Sequence, residues 1–355
     1  MPSTDSKSAR RDKLRPMNGA QMATEMAEQP GRLRHLLGRA EEIGELVRAL
    51  VPSPMCGITI VARGSSDHAA VYGRYLLEAA TGRPVSLAAP SLQTLYRIEH
   101  DYDGQLVIAV SQSGATPEIV ETLQALQDAG GRGLAITNDS ASALAQTAHG
   151  ALDLQLGKER AVPATKTVTG QFTAFAIIAA AVGRAPFSPG QLGEVPDGVQ
   201  AVLADPAPVA TAADALASPR HLIVVARGYL YAAALETALK IKETCSVLAD
   251  GYSAADLRHG PIAAVTRGFP VVALRAAGPA FSDVSALVDE LRGREASVLV
   301  VGTDEGADVP LPDDVAEPLA PVVAVVRGQQ LAHALALRMG YDPDSPAGLT
   351  KVTAT

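Results

Sequence analysis

Three strand-like segments recur in this chain at one spacing. The run LIVVARG (222–228) echoes ITIVARG (58–64), with the shared Val-Ala-Arg-Gly displaced by 225 − 61 = 164 residues. VVALRAAG (271–278) follows VIAVSQSG (107–114) by the same 164 residues, and VGTD (301–304) follows ITND (136–139) by 165. Each segment is short and apolar, and amphipathic stretches such as PEIVETLQALQDAGG come between them. Short β-rich runs alternating with such stretches build a parallel sheet covered by helices. Three units repeated in one order predict two homologous α/β halves.

The remaining sequence is organised around that duplication. A length of 355 residues fits two domains. Residues 1–50 are expected to form an N-terminal tail and helices, 51–190 the first half, 205–340 the second, and 341–355 a C-terminal tail. Leu33, Leu36, Leu37, Ile43, Leu46, Val47 and Leu50 keep a helical period over 20–50. The run 184–207, with Pro186, Pro189, Pro196 and Pro206, predicts a linker or crossover. The most apolar stretch, Phe172 to Val182, suits a buried helix and is too short for the roughly 18–20 residues that span a bilayer. The start, MPSTDSKSARRDKLRP, is charged without an apolar core, which predicts a solvated tail rather than a secretory signal. A cytoplasmic location and no membrane partner are expected.

A formal charge of −8 argues against nucleic acid, whose phosphate backbone needs a basic face. Cys56 and Cys245 are the only cysteines, so neither a disulfide framework nor a multi-cysteine zinc site is expected. His35, His100, His149, His221 and His333 show no metal-ligand spacing. No metal and no cofactor are predicted.

The duplication separates scaffold from chemistry. The first copy carries Ser65, Ser66, Ser111, Gln112, Ser113 and Thr116 at its strand ends, where the second has Tyr229, Leu230, Arg275, Ala276 and Ala277. Hydroxyls that served only as helix caps would be needed in both copies. Ligands of open parallel sheets sit beyond the carboxyl ends of the strands. There, Ser111-Gln112-Ser113-Gly114 before a helix start near Pro117 can hold an anion on free N–H groups and hydroxyls. Neither a GxxxxGK[ST] loop nor a GxGxxG fingerprint is present.

These residues resemble the sugar isomerase (SIS) domain family over roughly residues 20–355. SQSG followed by a threonine and a helix, RGSSDHA, LETALKIKE (235–243), RHGP (258–261) and LTKVT (349–353) carry the resemblance. It is nearest to the isomerase part of glucosamine-6-phosphate synthase and to amino-sugar-phosphate isomerases and deaminases without a glutaminase. It implies two SIS subdomains, each a flavodoxin-like parallel sheet flanked by helices. It also implies a phosphate site at Ser66, Ser111, Gln112, Ser113 and Thr116, beside Gly64 and Ser65. The family's carboxylate, lysine and histidine match Glu243, Lys240 and His259, and a further lysine matches Lys351. A homodimer is implied, each site completed by the neighbour's His259 loop. Two positions depart from the synthase pattern: Arg63 replaces a cysteine and Ala164 a serine. Met1 is followed by Pro2 and the first cysteine is Cys56, so glutamine-dependent synthesis is not expected.

The chemistry fits those residues. Moving a carbonyl between C1 and C2 of a sugar phosphate needs ring opening, a base for the adjacent carbon, and stabilisation of the enediol oxygen. Glu236, Lys240 and Glu243 share one helical face, so an ammonium can hold Glu243 ionised as base. His259 suits ring opening, and Lys351 on a mobile tail can close over the sugar. His68, in the first serine turn, is a further candidate for substrate contact. The expected activity is that of an amino-sugar 6-phosphate isomerase and deaminase, converting glucosamine 6-phosphate to fructose 6-phosphate and ammonia. Two other outcomes stay open on the same residues: elimination at C3 of an N-acetylated hexosamine 6-phosphate, and a sugar-phosphate sensor without catalysis.

Overall fold

A computed structural model describes residues 18–216 and 219–351. The tail expected at residues 1–17, and Val352 and Thr353 of the LTKVT motif, lie outside the described residues. The first half holds a five-stranded parallel sheet of β1 (Gly57–Val61), β2 (Val85–Leu87), β3 (Gln105–Val110), β4 (Arg132–Thr137) and β5 (Gly150–Asp153), ordered β2-β1-β3-β4-β5. The second holds β6 (His221–Ala226), β7 (Leu248–Ser253), β8 (Pro270–Arg275), β9 (Ser297–Gly302) and β10 (Val309–Pro310), ordered β7-β6-β8-β9-β10. The repeated segments are the first, third and fourth strands of each sheet, and both sheets run 2-1-3-4-5. Residues Ile58 to Val61 and Leu106 to Val110 are buried, because helices cover both faces.

Two helices precede the first sheet, α1 (Ala20–Gly38) and α2 (Ala40–Leu50). The single period expected over 20–50 breaks at Arg39, whose guanidinium donates to the Asp153 carbonyl and to Glu42. Helices α3 (Ser65–Thr81), α4 (Ser91–Thr94), α5 (Pro117–Asp128), α6 (Ala143–Thr147) and α7 (Lys166–Val182) complete the first half. The expected buried helix is α7, which is buried from Lys166 to Ala179.

The segment read as a Pro-rich linker or crossover is instead largely helical. It forms α8 (Pro189–Ala204), followed by α9 (Ala207–Leu216). Ser188 and Gln191 close a capping box around Pro189, which sits in the first turn, where a missing N–H costs little. Leu192, Val195, Val199 and Val202 then face the core, and that burial outweighs the break introduced by Pro196. The second half adds α10 (Tyr231–Cys245), α11 (Ala254–Arg258), α12 (Phe281–Gly293) and α13 (Ala320–Arg338).

One apolar cluster joins the halves, running from Leu33, Ile58 and Phe172 through Val224 and Ile241 to Val325. Tyr72 stacks on Phe172 with centroids 4.9 Å apart and donates its hydroxyl to the Pro318 carbonyl at 2.7 Å. The segment after α13 returns to the chain's beginning. The Asp344 carboxylate accepts the backbone N–H groups of Gln21 (3.0 Å) and Met22 (2.7 Å), and Asp342 accepts that of Gly19. Thus the first turn of α1, which has no cap of its own, is capped from more than 300 residues away. Among the described residues no helix is long and apolar enough to cross a membrane, and none groups into a metal-holding cluster.

Candidate active site

The carboxyl ends of β1 and β3 meet where the first sheet reverses its strand order. A cleft of about 370 Å³ opens there, within the usual size for a small-molecule site. After β1 the chain turns at Gly64, whose φ of 60° suits a residue without a side chain. It enters α3 with Ser65 and Ser66 in the first helical turn, where backbone N–H groups have no intrahelical acceptor. After β3 the loop Ser111–Thr116 leads into α5, again presenting a helix start. Gly114 must be glycine, because its φ is 59° and a Cβ would lie 2.1 Å from Ser142 Oγ.

The cleft brings together Gly64, Ser65, Ser66, Ser111, Gln112, Ser113 and Thr116. The Gly114 N–H donates to Ser111 Oγ at 3.2 Å and the Ala115 N–H to Ser113 Oγ at 3.3 Å. These turn bonds fix both hydroxyls in the cleft wall. Arg63 and Ala164, the two departures from the synthase pattern, also line the cleft. Arg63 is held on its wall by a bidentate pair with Glu118.

The second half supplies the opposite wall through α10. Glu243 lines the cleft, while Glu236 and Lys240 are fully buried beneath it. Lys240 Nζ donates to Glu243 Oε2 and, at 3.1 Å, to Ser65 Oγ. It faces Glu236 Oε1 at 3.3 Å, a charge contact rather than an aligned hydrogen bond. His68 Nδ1 lies 2.7 Å from Glu236 Oε2. His68 therefore meets Glu236 and is not part of the cleft lining.

Burial works to raise the Glu236 carboxyl, but Lys240 and His68 outweigh it and hold it below its ordinary value of 4.5. Burial works to lower Lys240, but the two glutamates hold it above the ordinary lysine value. Glu236, Lys240 and Glu243 form a fixed set of opposite charges on α10, tied across the seam between the halves by Ser65 and His68. Removing one member of a buried pair typically costs about 3–5 kcal/mol.

Lys351 also lines the cleft, beside Leu349 and Thr350. The tail expected to be mobile is tethered over its described part. Lys351 Nζ donates to Glu159 Oε2 at 2.8 Å, and the Val162 N–H donates to the Asp344 carbonyl at 3.0 Å. His259 lies elsewhere in this chain. It ends α11, is solvent-exposed and does not line the cleft.

Sequence reasoning missed Gln171, Thr167 and Val162, which line the cleft from α7 and the loop before it. Gln171 Nε2 donates to Ser66 Oγ at 3.0 Å, and its Oε1 has no donor among the described residues. It immediately precedes the apolar run of α7, where a buried amide is the polar signal that could have marked it.

Known proteins share this fold. The family model for the SIS domain matches residues 57–181 and 215–310. A glutamine–fructose-6-phosphate aminotransferase (isomerizing) of Methanothermobacter thermautotrophicus is 35% identical, over 93% of this chain and 56% of the relative. The chain thus spans little more than half the length of that relative. A crystal structure of a phosphosugar isomerase candidate from Silicibacter pomeroyi superposes with a TM-score of 0.83 at 30% identity, covering 91% of this chain and 99% of the other. Glucosamine-6-phosphate deaminase of Thermotoga maritima shares the fold, with a TM-score of 0.78 at 22% identity, covering 95% of this chain and 100% of the other.

Proposed function

The chain belongs to the SIS domain family, and from that premise we propose that it isomerises and deaminates an amino-sugar 6-phosphate, converting glucosamine 6-phosphate to fructose 6-phosphate and ammonia. One juxtaposition carries this reading. The hydroxyl-lined helix starts of the first half and the Glu243 carboxylate of the second face the same cleft, and Lys240 touches both Ser65 and Glu243.

The phosphate rests on Ser66, Ser111, Gln112, Ser113 and Thr116, where free N–H groups and hydroxyls stabilise a dianion. In the open-chain aldehyde, Glu243 takes the proton from C2 and returns one to C1. The double bond passes through a C1–C2 enaminol and becomes an imine at C2. Water adds to that carbon, ammonia leaves, and the C2 ketone remains. Lys240 donates to Glu243 and supplies positive charge near the developing enol oxygen. Glu236 and His68 hold Lys240 in place from below.

His259 opens the ring from a second copy of the chain, since within one copy it is exposed and away from the cleft. Lys351 closes the site from the C-terminal segment. Incubation with glucosamine 6-phosphate should release ammonia and fructose 6-phosphate in equal amounts. An unsaturated, ultraviolet-absorbing product from the N-acetyl sugar phosphate alone would replace this reading with elimination at C3. Binding without turnover of either sugar would leave a sensor.

A further inference from the structure

We propose that Glu159 is a positioning residue that anchors Lys351 and so holds segment 345–351 closed across the cleft. Only the identity of the ligand held there rests on the sugar-phosphate reading; the anchor itself does not.

Glu159 lies in the loop before α7 with its side chain fully buried, and among the described residues the one candidate catalytic group it bonds is Lys351. Its Oε1 accepts the backbone N–H groups of Thr165 (2.9 Å) and Thr167 (3.1 Å). Its Oε2 accepts the Thr167 hydroxyl (2.6 Å) and Lys351 Nζ (2.8 Å). Thr167 and Lys351 both line the cleft, while Glu159 lies behind them in a neighbouring groove that shares Gln112 and Ser113. One carboxylate thus fixes two side chains of the wall and the distal end of the C-terminal segment.

The other end of that segment is held by Asp344, which caps α1 and whose carbonyl accepts the Val162 N–H. Between these anchors Leu349, Thr350 and Lys351 run along the cleft. The two anchors differ in kind. Asp344 is bound into backbone, whereas Lys351 is held through its side chain by an ion pair with Glu159. Burial works to raise the Glu159 carboxyl, but Lys351 and the donors of the α7 start outweigh it and keep it below 4.5.

Trypsin cleaves after Lys351, so the anchor can be read without a substrate. The full chain is digested and release of residues 352–355 is followed by mass spectrometry. Glu159→Gln should cleave about tenfold faster than the wild type, because protection follows the closed population. Glu159→Asp keeps the charge one methylene farther back, should fold where the glutamine variant does not, and should cleave at an intermediate rate. Steady-state kinetics with glucosamine 6-phosphate supply the second arm. Glu159→Gln and Lys351→Met should each raise KM about tenfold with a smaller change in kcat, and the double variant should be no worse than either. Wild-type cleavage rates in both Glu159 variants, or additive kinetic losses, would overturn the anchor. Absence of turnover in every protein would remove the amino-sugar reading while the cleavage arm still decided the anchor.

Discussion

Behind β1 and β3 the turns at Gly64 and Gly114 open onto a cleft; behind β6 and β8 the matching turns at Gly228 and Gly278 close on a carboxylate. Gly64 and Gly228 have φ of 60° and 61°, so the backbone of that turn has kept its shape, whereas Gly114 at 59° and Gly278 at 157° have diverged. The surroundings differ as well. Nothing lies within 4 Å of a Cβ built on Gly64, whereas one built on Gly228 meets Ala280 Cβ at 3.7 Å and Glu317 Oε1 at 3.8 Å. A Cβ on Gly278 would lie 2.1 Å from Glu317 Oε2. Arg275, which replaces Ser111, is bound by Asp304 and Ser285. Duplication supplied two switch points; one stayed open and the other was filled by the chain's own side chains. The second half then gives its chemistry from a helix face, α10, instead of a strand end.

The largest expected effect tests that division. Glu243→Gln should lower kcat about 10³-fold while sugar-phosphate affinity stays within a few-fold, since a positioned base contributes about 10²–10⁴. Equal losses in affinity and turnover would erase the distinction between binding half and reacting half. Next, Ser111→Ala with Ser113→Ala should weaken binding about tenfold or more, at roughly 1 kcal/mol per hydrogen bond. The mirror change Ala277→Ser should leave affinity unchanged. A gain of affinity there, by calorimetry, would mean that the second switch point is still open.

Mixing Glu243→Gln with His259→Ala, each inactive alone, should restore part of the activity if His259 acts from a second copy. No recovery after co-expression would return His259 to its own subunit or to no role.

The smallest effects contrast two buried glutamates. Glu236 is held below 4.5, so its contribution to stability is present above that pH and fades as pH falls through its folded value. Lys240 is held above 10.5, so its contribution is present below that pH and is lost as pH rises through its folded value. Glu236→Gln should therefore lower Tm near neutrality and flatten the acid limb. Burial raises Glu317, with the Ala280 N–H opposing, so stability falls as pH rises from its ordinary value of 4.5 to its folded value and stays lowered above it. Glu317→Gln should leave Tm unchanged or raised at pH 7. Parallel responses of the two variants in thermal melts would contradict these opposite environments.

Strand identity was legible in the sequence because sheets covered on both faces leave continuous apolar runs, and the duplication showed which runs matched. The serine turns were legible because their counterparts lack hydroxyls. Helix α8 was misread because four prolines outweighed the Leu192, Val195, Val199, Val202 spacing, which is that of a helix. The pairings Glu236–His68, Lys351–Glu159 and Gln171–Ser66 join residues 168, 192 and 105 positions apart. No local pattern specifies such partners; the fold creates them. No local pattern marks Glu159 or Glu317 as buried either.

The cap on α1 has a consequence for the order in which the molecule can be completed. During synthesis the amides of Gln21 and Met22 emerge early, yet their acceptor, Asp344, is made 322 residues after Met22. The opening turn of the earliest helix therefore waits for residues 342–344 before its donors are satisfied. A ribosome-bound chain stalled short of that point should show rapid hydrogen exchange at Gln21 and Met22 beside an already protected first sheet.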